Sequence, residues 1–298
     1  MTAVVADPNL AAPAEGRRAR RRGRRRPLTP RTVLISLAAY VIAMIFILPY
    51  VEMVISALRP PSELLARGYL PKHFDWSNFT SIWKAGFGDN LGASLKVAGG
   101  ATVLVLLVAL PAAYYTARRR FPGRALFLLL VLATQMFQPA AMLVGIQREF
   151  TSFNIANPLI SLVLVNAGFN LAFAVWILNA YFSSIPAELE EAAMVDGTSR
   201  VGALRRITLP LAMPGIVTAL IFTFIGAWNE LLVALTFTAG AANSRQPVTV
   251  NLNNYIGQYQ IDWGHVFAGS VIATLPVIVL FAIIEGKVVG GLTAGSIK

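Results

Sequence analysis

The sequence SIPAELEEAAMVDGTSRVGALRRITLPLAMPG, residues 184–215, is a polar and charged island between long apolar stretches. Pro186 suits a first helical turn, because a proline there loses no hydrogen bond, and the glutamates after it lie near the positive end of the helix dipole. Gly197 is expected to end this helix, since glycine has a free choice of φ at a corner. This stretch therefore predicts a short helix followed by a sharp turn.

Ser199 is predicted to cap a second short helix. One apolar face is expected from the residues that recur there at helical spacing, namely Val201, Leu204 and Ile207. Pro210 then resets the chain as it re-enters apolar sequence. A helix, a corner and a second helix form a compact knob that fits a groove on a partner. The alternative interpretation is an ordinary loop between two membrane spans.

The composition places the chain in a membrane. Hydrophobic residues make up 56% of the 298 residues and charged residues only 13%, whereas about a quarter of the residues in a soluble globular domain are charged. Apolar stretches long enough to cross roughly 30 Å of hydrocarbon as helices lie at 33–57, 92–117, 125–146, 158–181, 211–238 and 267–289. The sequence thus predicts an all-α integral membrane protein with six transmembrane helices.

The basic residues predict the orientation of these spans. The net charge is +11, and nine arginines precede residue 32, most of them in the block RRARRRGRRR. When Lys and Arg are counted on alternating sides of the spans, 18 fall on the side of both termini and six on the other. Both termini and the loop 184–210 are therefore predicted to be cytoplasmic. Residues 1–30 are expected to be disordered and to lie at an anionic lipid leaflet, rather than to bind nucleic acid.

Polar side chains inside spans three to five are costly in hydrocarbon and usually face the bundle interior or water. The candidates for a substrate pathway are Gln135, Gln138, Asn166, Asn170, Trp176, Asn229 and Glu230. Amides beside aromatic rings suit a neutral polyol, because amides hydrogen-bond to hydroxyls while rings pack on the C–H faces of a sugar. The alternative is that the amides only join helices. Glu230 also raises the alternative of a proton-coupled secondary transporter.

The longest predicted outer loop, 58–91, carries Trp76, Phe79 and Trp83 at the spacing of one helix face. This pattern is typical of an interfacial helix on the membrane, and the alternative is a docking surface for an external partner.

The sequence contains no catalytic constellation. It has no cysteine, and its two histidines, His73 and His265, lie on predicted outer loops without the spacing of metal ligands. No G-x-x-x-x-G-K-[ST] phosphate loop occurs. We therefore expect no metal site and no active site, and any ATP that drives transport must be bound by another chain.

The central stretch resembles the cytoplasmic EAA loop of ABC-importer permeases, which has the form E-A-A-x-x-D-G followed by I-x-L-P. The matching positions are Glu191, Ala192, Ala193, Asp196, Gly197, Ile207, Leu209 and Pro210. Further motifs make the resemblance more specific: it is to the carbohydrate-uptake class, and to permeases like the second, six-span subunit of maltose importers. These motifs are the dipeptide Ile185–Pro186, SALR at 56–59, WNE at 228–230 and the tail GGLTAGSIK at 290–298.

The resemblance implies a type I permease fold of residues 31–298 in the bacterial inner membrane, with a coupling helix in the loop 184–210. Glu190 and the matching residues would contact a cytoplasmic ATPase, and the tail 290–298 would be a second contact. A side chain at Gly197 is expected to force the two helices of the loop apart. The implied partners are a companion permease, two ATPase subunits that bind ATP and Mg, and an extracytoplasmic solute-binding protein or lipoprotein. The sugar stays open.

Overall fold

The computed structural model describes residues 30–60, 62, 63, 71–257 and 259–294. Its α-helices are α1 (Pro30–Ala57), α2 (Ser77–Ile82), α3 (Gly88–Arg118), α4 (Arg124–Ala133), α5 (Pro139–Ser152), α6 (Pro158–Ser184), α7 (Glu188–Val195), α8 (Arg200–Ala203), α9 (Leu209–Leu211), α10 (Met213–Trp228), α11 (Leu232–Phe237), α12 (Val248–Asn254) and α13 (Trp263–Ala294). Turns of π-helix lie at Trp83–Phe87 and Leu204–Thr208, and turns of 3-10 helix at Thr134–Met136 and Asn243–Arg245. The predicted all-α class is confirmed.

The chain divides into two units, residues 1–49 and 50–298. In the first unit the described residues, 30–49, form the larger part of α1. Large apolar side chains of this segment, such as Leu34, Ile45 and Phe46, are exposed, as they are on a helix that faces hydrocarbon. The arginine-rich segment that was expected to be disordered lies outside the described residues, except for Pro30.

The core of the second unit lies among α3, α6 and α10. It combines large side chains such as Phe182 with many small ones: Ala101, Ala109 and Ala113 of α3, Ala174 of α6 and Ala219 of α10 are all 0% exposed. Small residues let helix backbones approach closely, which is how helices associate in a membrane, where apolar surface gains little from leaving lipid. These three helices therefore form the frame to which the loop 184–215 is attached.

The third predicted span is bent rather than straight. Its two halves, Arg124–Met136 and Pro139–Ser152, meet at an angle of 97°. Pro139 explains the bend, because the residue before a proline avoids the helical region, and Gln138 is extended, with φ −73° and ψ 126°. The predicted span 125–146 is therefore a bent pair of helices and not one straight helix.

The fifth predicted span, 211–238, is also broken. A bend of 71° separates Arg200–Leu211 from Met213–Trp228, and the chain leaves the helix again before α11. Pro214, which lacks an N–H, stands at the start of α10, where a helix can begin but cannot be continued from the preceding one. Among the described residues, four helices are long and apolar enough to cross a membrane singly, and the number rises to six if each bent pair is one span.

Two further predictions concern the ends of these spans. Helix α13 continues to Ala294, so residues 290–294 of the predicted tail are helical, while 295–298 lie outside the described residues.

Near the outer loop, Trp76 and Trp83 are exposed and the rings of Trp76 and Phe79 are 5.7 Å apart. Both interpretations of that aromatic face, an interfacial helix and a docking surface, stay predictions.

Candidate functional site

The first helix of the loop, α7, begins at Glu188 rather than at Pro186. Pro186 lies before the N-cap Ala187, whose carbonyl accepts a helical hydrogen bond from the Glu190 N–H at 3.0 Å. Ile185 is extended, as expected of a residue before a proline, so the chain leaves α6 before it enters a new helix. The acidic residues still occupy the first turn of α7, where the helix dipole favours negative charge.

Gly197 ends α7 in a Schellman turn. The Gly197 N–H donates to the Met194 carbonyl at 3.1 Å, and the Thr198 N–H donates to the Ala193 carbonyl at 3.0 Å. The φ of Gly197 is +87°, a value that glycine adopts without strain. An added Cβ would meet no atom within 4 Å. An added Cβ would therefore not push the helices apart by a clash, and the requirement for glycine lies in the backbone torsion.

Ser199 caps the second helix as predicted, and its hydroxyl oxygen accepts a backbone N–H at 3.2 Å. Helix α8 then passes directly into the π turn 204–208. The residues of the predicted apolar face are not the buried ones, because Val201 is 64% exposed and Leu204 and Ile207 are half-buried, whereas Ala203 and Thr208 are 1% and 0% exposed. A π turn closes its hydrogen bonds over five residues instead of four, so the buried positions no longer follow the α-helical period.

The loop presents most of its motif residues at the surface. Glu191, Ala192, Asp196, Gly197 and Pro210 are exposed, Ile207 and Leu209 are half-buried, and Ala193 is buried. Large apolar side chains are exposed among them, above all Val195 at 87% and Val201 at 64%. The sequence prediction overlooked Val195, which a search for apolar residues at the end of a charged helix would have found. Exposed apolar side chains rimmed by acidic ones are typical of a surface that enters a partner's groove.

Glu190 differs from the exposed glutamates because its side chain is buried. Its Oε1 accepts hydrogen bonds from Thr208 Oγ1 at 2.6 Å and Arg118 Nε at 2.8 Å, and its Oε2 accepts one from the Tyr114 hydroxyl at 2.7 Å. Burial opposes ionisation of the carboxyl, but these hydrogen bonds and the charge of Arg118 together hold the pKa of Glu190 below its usual value. The carboxyl is therefore ionised at neutral pH.

Sequence reasoning grouped Glu190 with the residues that contact a partner, and the structure places its carboxylate inside this chain instead. The residues that surround it, Tyr114, Arg118 and Thr208, were not singled out as a site; Arg118 entered only as a positive charge in a basic run. Tyr114 and Arg118 are four residues apart on α3 and therefore share a helix face. That spacing was the available signal, but nothing in the sequence connects this face to Glu190.

Two of the pathway candidates, Asn166 and Asn170, bond within their own helix. Asn166 Nδ2 donates to the Leu162 carbonyl at 2.9 Å, and Asn170 Nδ2 donates to the Asn166 carbonyl at 2.8 Å, each one turn back along α6. Asn170 also packs on Gly226 of α10, where an added Cβ would lie 2.7 Å from Asn170 Oδ1. The packing of Asn170 on α10 favours the interpretation that this amide joins helices, whereas the hydrogen bond of Asn166 stays within α6.

The side chains of Gln135, Gln138, Trp176 and Asn229 are exposed. Gln135 lies at the bend of the third span and donates to the carbonyl of Phe169 in α6 at 3.1 Å. A cavity of about 430 Å³ beside this bend is lined mainly by apolar side chains, and none of the seven pathway candidates lines it. The structure therefore does not collect the candidates around this cavity.

Glu230 closes the start of α11. Its Oε1 accepts the Val233 N–H and its Oε2 accepts the Ala234 N–H, both at 3.0 Å. The Glu230 carbonyl accepts a hydrogen bond from the Thr249 hydroxyl at 2.9 Å. The first N–H groups of a helix have no partner within it, and a side-chain carboxyl oxygen is a good acceptor for them. These contacts account for a carboxylate at this depth without a proton relay.

Known proteins are similar to this chain in sequence and in fold. The family described as "Binding-protein-dependent transport system inner membrane component" matches residues 31–287. The sulfoquinovosyl glycerol transport system permease protein SmoH of Agrobacterium fabrum is 38% identical over 69% of this chain and 71% of its own length. The trehalose transport system permease protein SugB of Mycobacterium tuberculosis is 32% identical over 85% of this chain and 92% of its own length.

Among solved structures, a bacterial ABC transporter involved in the import of the acidic polysaccharide alginate superposes with a TM-score of 0.72. The match covers 85% of this chain and 95% of that chain at 20% identity. At this identity the similarity concerns the fold alone, and it confirms the predicted type I permease fold.

Proposed function

Because this chain belongs to the family of binding-protein-dependent transport system inner membrane components, we propose that it is a permease subunit of an ATP-driven importer for a sugar or a related polyol. It is a multi-pass membrane protein, and it contributes half of the translocation pathway. The observation that carries its coupling role is the loop 184–215, where α7, the Gly197 corner and α8 expose Glu191, Asp196 and Val195 on a compact knob.

The proposed complex contains a companion permease, two cytoplasmic ATPase subunits and an extracytoplasmic solute-binding protein. Support for the binding protein comes from the family description itself. Support for the ATPase comes from the absence of a phosphate loop in this sequence, so ATP and Mg bind to the partner. The bias of 18 basic residues against six puts both termini and the loop in the cytoplasm, where an ATPase can reach them.

The mechanism follows from the rigidity of the loop. ATP binding closes the ATPase dimer and brings its two clefts together, and a knob seated in each cleft moves with it. The permease helices then rock from an inward-facing to an outward-facing arrangement, so that the solute released by the binding protein enters between the two permeases. ATP hydrolysis opens the dimer and resets the cycle.

The substrate class rests on the relatives and on the polar residues of the spans. The two relatives are named for trehalose and for sulfoquinovosyl glycerol, which share a polyhydroxylated ring and differ in charge. Gln138, Trp176 and Asn229 keep exposed side chains and are the residues we propose to line the pathway. Amide groups hydrogen-bond to sugar hydroxyls, and an indole ring packs on the apolar face of a sugar.

Reconstitution into proteoliposomes tests the source of energy. We expect this chain alone to transport nothing, and the full complex to take up solute only with ATP inside and with an ATPase whose phosphate loop is intact. Collapse of the proton gradient should leave uptake unchanged. Uptake by this chain alone that stops when the gradient collapses would instead establish a secondary transporter that uses Glu230.

The variant Glu191→Lys tests the docking role of the loop. We expect it to abolish uptake while the permease still reaches the membrane, because it reverses an exposed charge on the proposed contact surface. Glu149→Lys makes the same change on an exposed side chain of α5, outside the loop, and should transport normally. Full uptake by Glu191→Lys would remove this residue from the contact.

A further inference from the structure

Arg118 connects three segments of the chain at the end of α3. Its Nε and Nη2 both lie 2.8 Å from Glu190 Oε1 on α7, and its Nη1 donates to the Ile185 carbonyl, just after α6, at 2.7 Å. Thr208, in the π turn of the second half of the loop, donates to the same Oε1. Both halves of the loop are therefore bonded to one arginine–glutamate pair, and that pair is bonded to α3.

The pair is shielded from water. The side chains of Arg118 and Glu190 are 13% and 10% exposed. In such surroundings a charge that loses its partner is left without solvation, so separating the pair is strongly unfavourable. Charge-assisted hydrogen bonds are also the strongest ones that side chains form. A force applied to the loop should therefore move the whole cluster before it opens the ion pair.

The same end of α3 is joined to α6. The ring of Tyr114, which donates to Glu190, meets the fully buried ring of Phe182 edge-on at 5.8 Å between centroids. Half a turn further along α3, Thr116 Oγ1 accepts a hydrogen bond from Asn179 Nδ2 of α6 at 2.8 Å. The segment of α3 that bonds to the loop is therefore also the segment that contacts α6. Helix α6 in turn packs in the core of the unit.

We propose that Glu190 is a positioning residue that fastens the coupling loop to α3 through Arg118, so that a displacement of the loop reaches α3 and α6 as the movement of one body. This inference rests on the proposed function, and it separates two neighbouring glutamates. Glu191 faces outward, where a partner can contact it, whereas Glu190 faces inward and acts only through Arg118 and α3.

The test uses the complete complex in proteoliposomes, with solute uptake and ATP hydrolysis measured on the same samples. The variants are Glu190→Gln, Arg118→Gln and the double variant. Glu188→Gln, on an exposed side chain of α7, and Arg119→Gln, on the exposed residue next to Arg118, are the matched controls. Both rates are normalised to the amount of ATPase that copurifies, so that a loss of assembly is counted separately.

We expect each single variant to lower uptake per ATP hydrolysed about fivefold or more, the lower end of typical coupling between sites, while ATP hydrolysis still responds to the binding protein. The double variant should be no worse than the single ones, because residues that act as one pair are not additive. The two controls should keep the ratio of the wild-type complex.

A proportional fall of uptake and hydrolysis in Glu190→Gln and Arg118→Gln would overturn the proposal, because it would show a role in stability alone. A ratio of uptake to ATP hydrolysis equal to that of the wild-type complex would overturn it as well, whatever the absolute rates. If the glutamine variants fail to assemble, Arg118→Lys decides, since it keeps the charge but cannot make both contacts of the guanidinium; a ratio equal to wild type would then refute the proposal. Uptake by the wild-type complex without ATP would refute the proposed function instead.

Discussion

Replacing Gly197 by alanine tests whether the corner of the loop acts through its backbone torsion. Gly197 has φ +87° and no atom lies within 4 Å of an added Cβ, so the substitution adds torsional strain and no clash. A non-glycine residue in this conformation costs about 1–2 kcal/mol. Strain of this size changes the ratio of two conformations by about 5- to 30-fold. Asparagine tolerates the left-handed region better than alanine does, so Gly197→Asn should have the smaller effect.

The expected result follows from how the strain is relieved. A free loop relaxes away from the docking shape, and the ATPase must restore that shape when it binds, which lowers the apparent affinity by up to the same factor. The assay is a titration of purified ATPase subunit against the permease pair in proteoliposomes, with uptake as the signal. The midpoint for Gly197→Ala should move to higher ATPase concentration, and the maximum rate at saturation should recover.

Gly123→Ala is the matched control. Gly123 has φ +88°, no atom lies within 4 Å of an added Cβ, and it caps α4 outside the loop. It therefore receives the same strain without touching the coupling surface. Both variants should lose thermal stability to a similar extent, and only Gly197→Ala should shift the titration. Equal shifts in the two variants, or no shift in Gly197→Ala, would refute the reasoning.

Three further predictions concern stability in detergent. Glu230→Gln removes a carboxyl acceptor from the start of α11 and should lower the free energy of unfolding by about 1.5–3 kcal/mol. ATP-driven uptake should persist in this variant. Lost uptake at unchanged stability would contradict the capping role. Gly215→Ala places a Cβ 2.3 Å from Tyr181 Cγ, whereas the Cβ of Gly168→Ala meets no atom within 4 Å. The first variant should therefore lower the thermal midpoint, because overpacking costs about 1–3 kcal/mol, and the second should not. Equal midpoints for the two variants would contradict the packing. The pKa of Glu190 is lowered in the folded protein from 4.5, so its contribution is complete above that value and is lost as the pH falls below it. The stability difference between wild type and Glu190→Gln should therefore stay constant from pH 8 to about 5 and shrink below about 4; a difference that shrinks between pH 8 and 6 would contradict this.

The features that depend on short stretches of chain were predictable. The length of an apolar run predicts a membrane helix because hydrocarbon has a fixed thickness. Ser199 and Gly197 were assigned their roles correctly because a helix cap and a left-handed corner are local requirements. The bend before Pro139 is local too, because proline disfavours a helical residue before it, although hydropathy alone does not report the change of direction.

The features that depend on contacts between distant segments were not predictable. The π turn at 204–208 brings Thr208 into hydrogen-bonding distance of Glu190, and the break in the fifth span places Glu230 at the start of α11. In each case the sequence shows the residue but not its partner. Asn170 shows the same limit, because an asparagine that packs on Gly226 looks the same in the sequence as an asparagine that lines a pathway. One sequence without its contacts does not distinguish these uses.

Glu190 and Glu191 show the division most plainly. The sequence places both in the first turn of one short helix, beside a corner that requires glycine, because helix signals are local. Only the packed structure separates them, since successive residues of a helix point about 100° apart and one of these directions meets α3. Arg118 lies 72 residues earlier in the chain, and no local rule relates two residues at that distance. The inward glutamate gains a buried ion pair and the outward one stays free for a partner.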